Sequence, residues 1–282
     1  MTLDVGFIGL GNIGKPCAKH LIREGFVAHV FDIEPSHVQE LSKQGAMAAE
    51  TISDLASKSR CIGVCVRDDV EVETVLYGSD GVFNTAAPST LVSIHSTVKR
   101  SSLLKWVSDG SKKGISVIDA AISGGAHGAE MGTLCYMVGG SEADFRRAKP
   151  IFETSADQVI HAGEVGSGLV LKLCNNMITY AEFMAMSEAV KLAEAVGIDF
   201  NLLRQVGRSN GIVNDTMHQF VSNRNEFSKS CSEEQMEETF GVFGKLGEKD
   251  LDCALSCAAE LGVQLPSTKA LQRDVYELFM NK

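Results

Sequence analysis

The chain has no run of about 18 consecutive apolar residues, so nothing in it reads as a membrane-spanning helix. It has no excess of positive charge. Its 26 Lys and Arg stand against 36 Asp and Glu, a formal net charge of -10. No Lys/Arg-rich run offsets that balance, which argues against nucleic acid and anionic membrane surfaces as partners. A small acidic ligand remains possible, because one local basic group can hold it. The first residues, Met-Thr-Leu-Asp-Val, lack a basic region followed by an apolar stretch and a small-residue cleavage site, so a cytoplasmic location is expected. There is no CxxC. Cys61 and Cys65 are four apart, as are Cys253 and Cys257, and no His stands at metal-ligand spacing beside either pair. Reduced thiols, no structural disulfide and no metal site are therefore expected. No internal repeat or low-complexity tract appears.

What is present suits a globular protein with a sizeable core: 282 residues, 44% hydrophobic and 22% charged, enough for one large domain or two ordinary ones. Asp4 to Leu10 reads as a buried strand. It runs into Gly9-Leu10-Gly11-Asn12-Ile13-Gly14, and Pro16 to Glu24 follows as a helix. This is G-x-G-x-x-G in the context the motif needs. The first Gly makes the turn, the second admits a pyrophosphate and the third lets helix and strand pack closely. The helix start, with Asn12 and Ile13 leading into it, offers free N–H groups to phosphates. A lone motif of this kind is weak. Here a second strand, Val27 to Phe31, ends at Asp32, placed to receive ribose hydroxyls. Its carboxylate would repel a 2′-phosphate, and no Arg follows, so NAD is expected in preference to NADP.

The βα rhythm continues with strands at 60–66, 90–94 and 115–118 and helices at 69–77 and 101–112, which predicts a mostly parallel sheet with ligands at its carboxyl edge. Val66 and Arg67, with Asp68 and Asp69, end one strand, and His95-Ser96-Thr97 ends the next. Both loops are expected near the nicotinamide end, although ordinary loop polarity and helix capping explain each residue alone equally well. After Asp119 comes Ser123-Gly124-Gly125, a hydroxyl and exposed N–H groups that can hold a carboxylate, or a flexible glycine turn. Strands follow at 134–138 and 158–160.

Beyond Gly163 every stretch has helical length. The expected architecture is an α/β Rossmann dinucleotide-binding domain over 1–163 and an all-α domain over 164–282. The latter begins with a helix free of Gly and Pro from Leu169 to Val196, then shorter helices at 201–206, 214–221, 236–243, 249–261 and 267–280. The long helix is apolar nearly all round, which predicts burial. Lys172 and Asn176 are four apart on one face of it. A buried lysine needs a partner. Taken alone, a lysine snorkelling to solvent is the simpler reading.

Together these motifs resemble the β-hydroxyacid dehydrogenase family, whose best-known members are 3-hydroxyisobutyrate dehydrogenases and tartronate semialdehyde reductases, and which is related to 6-phosphogluconate dehydrogenase. The segments that carry the resemblance are 6–14, 119–140, 163–176 and 243–251 with Gly262 and Pro266, in family order over nearly the whole chain. The resemblance implies Lys172 as catalytic residue. It implies that Ser123, Gly124, Gly125 and Asn176 hold the substrate carboxylate and hydroxyl, with Asn175 in support. It places Thr97 and Lys249 at the cofactor and implies a homodimer or homotetramer. Arg67 departs from a usual Pro and Ile94 from a usual Asp, and Arg67 raises the hypothesis of a second acidic group on the substrate. The expected activity is NAD-dependent oxidation of a small 3-hydroxy acid, with Lys172 moving the hydroxyl proton. Burial would draw its pKa toward the working pH. Two other readings are a reductase of a small aldehyde acid or an imine, which relatives lacking the lysine perform, and a non-catalytic dinucleotide-binding module.

Overall fold

A computed structural model describes residues 3–282. The chain forms two compact units, Met1–Lys172 and Leu173–Lys282. In the first, the order is β1 (Asp4–Ile8), α1 (Gly14–Arg23), β2 (Val27–Phe31), α2 (Pro35–Ser42), β3 (Met47–Ala48), α3 (Ile52–Lys58), β4 (Cys61–Val64), α4 (Asp69–Tyr77), α5 (Val82–Thr85), β5 (Leu91–Ile94), α6 (Arg100–Ser111), β6 (Ser116–Ser123), α7 (Gly125–Met131), β7 (Leu134–Gly139), α8 (Glu142–Phe152) and β8 (Ala156–Gly163). The helix α9 (Ser167–Ala195) begins in this unit and continues into the next. There α10 (Phe200–Ser209), α11 (Asp215–Ser230), α12 (Glu233–Met236), a π-helical turn over Glu237–Gly241, α13 (Val242–Glu260) and α14 (Pro266–Met280) follow.

The strands make one sheet in the order β3-β2-β1-β4-β5-β6-β7-β8. All pairs are parallel except β6 with β7. The order reverses direction between β1 and β4, and a doubly wound sheet binds its ligand at the carboxyl ends flanking such a switch. The inner strands are buried along their length, which is why they read as continuous apolar runs rather than alternating ones. His95 lies at the centre of the core, stacked on Phe7 at 5.7 Å and edge-on to Tyr136 and Phe152. Ile94 is fully buried next to it in the chain. The second unit packs Tyr180, Phe183, Val190, Val221, Leu251 and Phe279 into its own core.

Several expectations are corrected. Short amphipathic helices α2, α3 and α8 occupy stretches with no strong periodic signal. Thr51 and Ser141 start two of them by accepting hydrogen bonds from Asp54 N and Asp144 N. The helices expected at 236–243 and 249–261 are one continuous run. Gly244 and Gly247 do not break it; they let α14 approach, since a Cβ at Gly244 would lie 2.8 Å from Tyr276 and one at Gly247 3.0 Å from Val275. The helix α9 is not enclosed all round in the single chain: Ile178 is 62% and Leu192 74% exposed. Its buried residues fall on one stripe, Leu169, Leu173, Asn176, Tyr180, Phe183 and Val190.

Candidate active site

The three glycines after β1 do three different things. Gly9 takes φ +91°, and a Cβ there would lie 2.3 Å from the Cys65 carbonyl oxygen, so only glycine fits between the ends of β1 and β4. A Cβ at Gly14 would lie 1.9 Å from the Gly9 oxygen, so the start of α1 rests directly on the turn. A Cβ at Gly11 would meet nothing within 4 Å. The middle glycine therefore faces open space, with exposed Asn12 beside it and half-buried Ile13 leading into α1. Val66 borders the turn with its Cγ1. Its backbone is locked by Ser96, whose Oγ accepts from Val66 N at 3.0 Å and donates to Val66 O at 2.7 Å. Ser96 and His95 thus hold the two strand ends together from inside, while Thr97, next along, is half-buried.

Asp32 closes the far side of this cradle. Its carboxylate accepts from Leu10 N at 2.5 Å and Glu34 N at 2.7 Å, which ties the end of β2 to the glycine turn. Each oxygen keeps a lone pair for a vicinal diol, so the glycines, Val66 and Asp32 fit a dinucleotide. Arg67 is 81% exposed at the side chain and folds onto Glu71, which receives both its backbone N–H and its guanidinium. Asp68 caps α4 by accepting from Glu71 N.

Ser123-Gly124-Gly125 is not a free loop. Ser123 ends β6, Gly124 precedes the helix with φ +125°, and Gly125 opens α7 with φ +62°. A Cβ on Gly125 would meet nothing within 4 Å, so this residue faces open space. Ser123 pairs in register with Cys135 across the antiparallel β6–β7 ladder. Burial pushes the Cys135 thiol pKa up, and the neighbouring Lys172 ammonium opposes that rise. Ser123 and Cys135 are thus cross-strand neighbours in the first unit, whose last residue is Lys172. Lys172 itself is half-buried rather than enclosed.

In the second unit Asn176 is 9% exposed, while Asn175 is exposed. Asn176 donates its amide N–H to Asp250 Oδ2 at 2.7 Å and accepts from Asn175 Nδ2 at 3.3 Å. Tyr180 OH donates to the same Asp250 oxygen at 3.1 Å. Asp250, beside half-buried Lys249 on α13, is the buried partner of Asn176 that sequence reasoning missed.

A family model described as the NAD binding domain of 6-phosphogluconate dehydrogenase matches residues 4–163. Another, described as the NAD-binding of NADP-dependent 3-hydroxyisobutyrate dehydrogenase, matches residues 166–280. The chain is 32% identical over 280 residues to 2-(hydroxymethyl)glutarate dehydrogenase of Eubacterium barkeri, covering 98% of this chain and 89% of that one. It is 30% identical over 275 residues to 3-hydroxyisobutyrate dehydrogenase of Pseudomonas aeruginosa, covering 98% and 91%. Among solved structures it resembles a 3-hydroxyisobutyrate dehydrogenase of Mycobacterium tuberculosis with L-serine, with TM-score 0.83 and 26% identity over 100% of this chain and 94% of that one. With the glycine cradle, Asp32 and the Ser123 segment in these positions, the chain belongs to the β-hydroxyacid dehydrogenase family and is an NAD(P)-dependent oxidoreductase acting on CH–OH groups.

Proposed function

We propose that this enzyme interconverts a small 3-hydroxy acid and its semialdehyde, with Lys172 as general acid and base and NAD as the preferred dinucleotide. The observation that carries the reading is that strand β6, which ends in Ser123, is tied through Asp119 to Gly166 N and Leu169 N at the start of the helix that bears Lys172. A group that binds a carboxylate and a group that moves a proton are what a short hydroxy acid requires. Bound NAD takes up a hydride from the hydroxyl-bearing carbon or supplies one to the carbonyl. Ser123, Gly124 and Gly125 hold the carboxylate. Asn176 orients the hydroxyl, with Asn175 bonded to its amide. Lys172 removes the hydroxyl proton during oxidation and returns it during reduction, a contribution of roughly 10²–10⁴-fold. Gly9, Gly11, Asn12, Ile13, Gly14, Val66, Thr97 and Asp32 hold the dinucleotide, with Lys249 contributing from the helical unit. The Asp32 carboxylate opposes a 2′-phosphate.

The substrate class is supported by the relatives' names, which include 3-hydroxyisobutyrate, a hydroxymethyl dicarboxylate and a structure with L-serine. The test is turnover of 3-hydroxyisobutyrate, L-serine and 2-(hydroxymethyl)glutarate with NAD and with NADP. The reading expects NAD to support faster turnover of at least one; activity confined to imines would contradict it. A second acidic group on the substrate is favoured by one observation, the exposed Arg67 at the β4 end. Arg67→Ala is expected to raise KM for the dicarboxylate by about tenfold, the scale of one charge-assisted hydrogen bond. An unchanged KM would exclude that role. We propose a homodimer or homotetramer, supported by exposed Ile178 and Leu192 on α9 and checked by sedimentation. All eight cysteines are free thiols, which suits a cytoplasmic location. No helix among the described residues is long and apolar enough to cross a membrane.

A further inference from the structure

We infer that Asp119 is a positioning residue that sets Lys172 against Ser123 by anchoring the first turn of α9 to strand β6. The inference rests on the reading of Lys172 as the proton-transfer group.

Asp119 is 2% exposed. Its Oδ1 accepts from Gly166 N and its Oδ2 from Leu169 N, both at 2.7 Å. These N–H groups belong to the helix start, where no intrahelical acceptor is available, and the carboxylate also meets the positive end of the helix dipole. The other side-chain caps of the first unit's helices, Glu34, Thr51, Asp68 and Ser141, reach two or three residues along the chain. Asp119 reaches 47 and 50. It joins two distant elements rather than finishing one.

The two elements are those that carry the chemistry. Asp119 and Ser123 are four apart on β6, so their side chains leave the same face of the sheet. Lys172 lies three residues beyond Leu169 on α9. One strand thus presents the anchor and the Ser123 hydroxyl, and one helix presents the anchored N–H and the lysine. The partner strand repeats the ruler: Gly139 stands opposite Asp119 and Cys135 opposite Ser123. Nothing cushions the contact. A Cβ on Gly168 would lie 2.2 Å from the Met137 carbonyl oxygen, and one on Gly139 2.5 Å from Asp119 Oδ1. The helix therefore starts directly on the β7 backbone. A neutral amide at 119 could accept only one of the two bonds. Burial opposes the charge, pushing the Asp119 pKa up, and the two backbone donors act against that push.

The test compares Asp119→Ala, Asp119→Asn and Gly168→Ala with Lys172→Ala, and with Ser141→Ala as a control that loses a cap on α8. Kinetics use 3-hydroxyisobutyrate or L-serine with NAD, NADH binding is followed by fluorescence, and amide exchange is read over 164–172. Asp119→Ala is expected to lower kcat by about 10²-fold, the cost of misplacing a catalytic group by about an ångström. Asp119→Asn and Gly168→Ala should lose less, in the same direction. In all three, NADH affinity should hold and exchange should quicken at 164–172 alone. Ser141→Ala should melt earlier with kcat unchanged. Wild-type kcat in folded Asp119→Asn and Gly168→Ala would overturn the inference, as would losses of kcat and NADH binding in step. If Lys172→Ala keeps its turnover, the proton-transfer reading fails by itself, and the exchange result alone decides whether Asp119 anchors α9.

Discussion

A carboxylate only accepts hydrogen bonds, so Asp250 decides which end of the Asn176 amide faces it. The nitrogen must point to Asp250, and the Asn176 oxygen accepts from Asn175. Removing one partner of a buried pair leaves the other unsatisfied, at about 1–3 kcal/mol. Asp250→Ala is therefore expected to lower kcat/KM by about 5- to 100-fold on that scale, with NADH affinity preserved. Steady-state kinetics check it, and an unchanged kcat/KM would mean that the Asn176 orientation is unimportant. Lys172, Asn175 and Asn176 were candidates from the sequence because they sit together on one helix. Asp250 and Asp119 were not, because each acts through a hydrogen bond to a residue 47 to 74 positions away. Spacing along a chain says nothing about such partners.

The element read most completely was the cofactor turn, because its glycine spacing is itself the signal and Gly14 packs on Gly9 only five residues away. Gly14→Ala would place a methyl group 1.9 Å from the Gly9 carbonyl oxygen. The Gly9 backbone and the buried Phe7 ring leave little room to yield, and overpacking of this kind costs about 1–3 kcal/mol. A urea titration is expected to show that loss, with weaker NADH binding. Full stability would mean that the turn can open. Strands buried on both faces were legible as apolar runs, and α9 by its length. The start of α7 was read as a glycine loop, since Gly124 and Gly125 give no helical signal. The burial of α9 was overestimated for a different reason: composition around a helix does not reveal which apolar residues the single chain leaves exposed.

For the molecule as a whole, the most direct thermodynamic consequence comes from His95. Its Nδ1 faces the Ala120 carbonyl at 2.8 Å, so that nitrogen carries a proton. Burial pushes its pKa down from 6.5 to about 4. The unfolded chain therefore binds this proton more readily than the folded one between those values. Its contribution is fully present above about pH 6.5 and is lost as pH falls toward 4, at up to about 1.4 kcal/mol per pH unit. Unfolding free energies between pH 7 and 4 should fall more steeply in the wild type than in His95→Gln; equal slopes would show that His95 is not held neutral. The division into an α/β part and a helical part was legible from the point where strands cease. The account as a whole turns on Lys172. The decisive measurement is kcat of Lys172→Ala on the best hydroxy acid, with NADH affinity and melting temperature measured on the same sample. A loss of roughly 10²–10⁴-fold in kcat, with binding and melting unchanged, is the predicted result. Turnover close to wild type would contradict it.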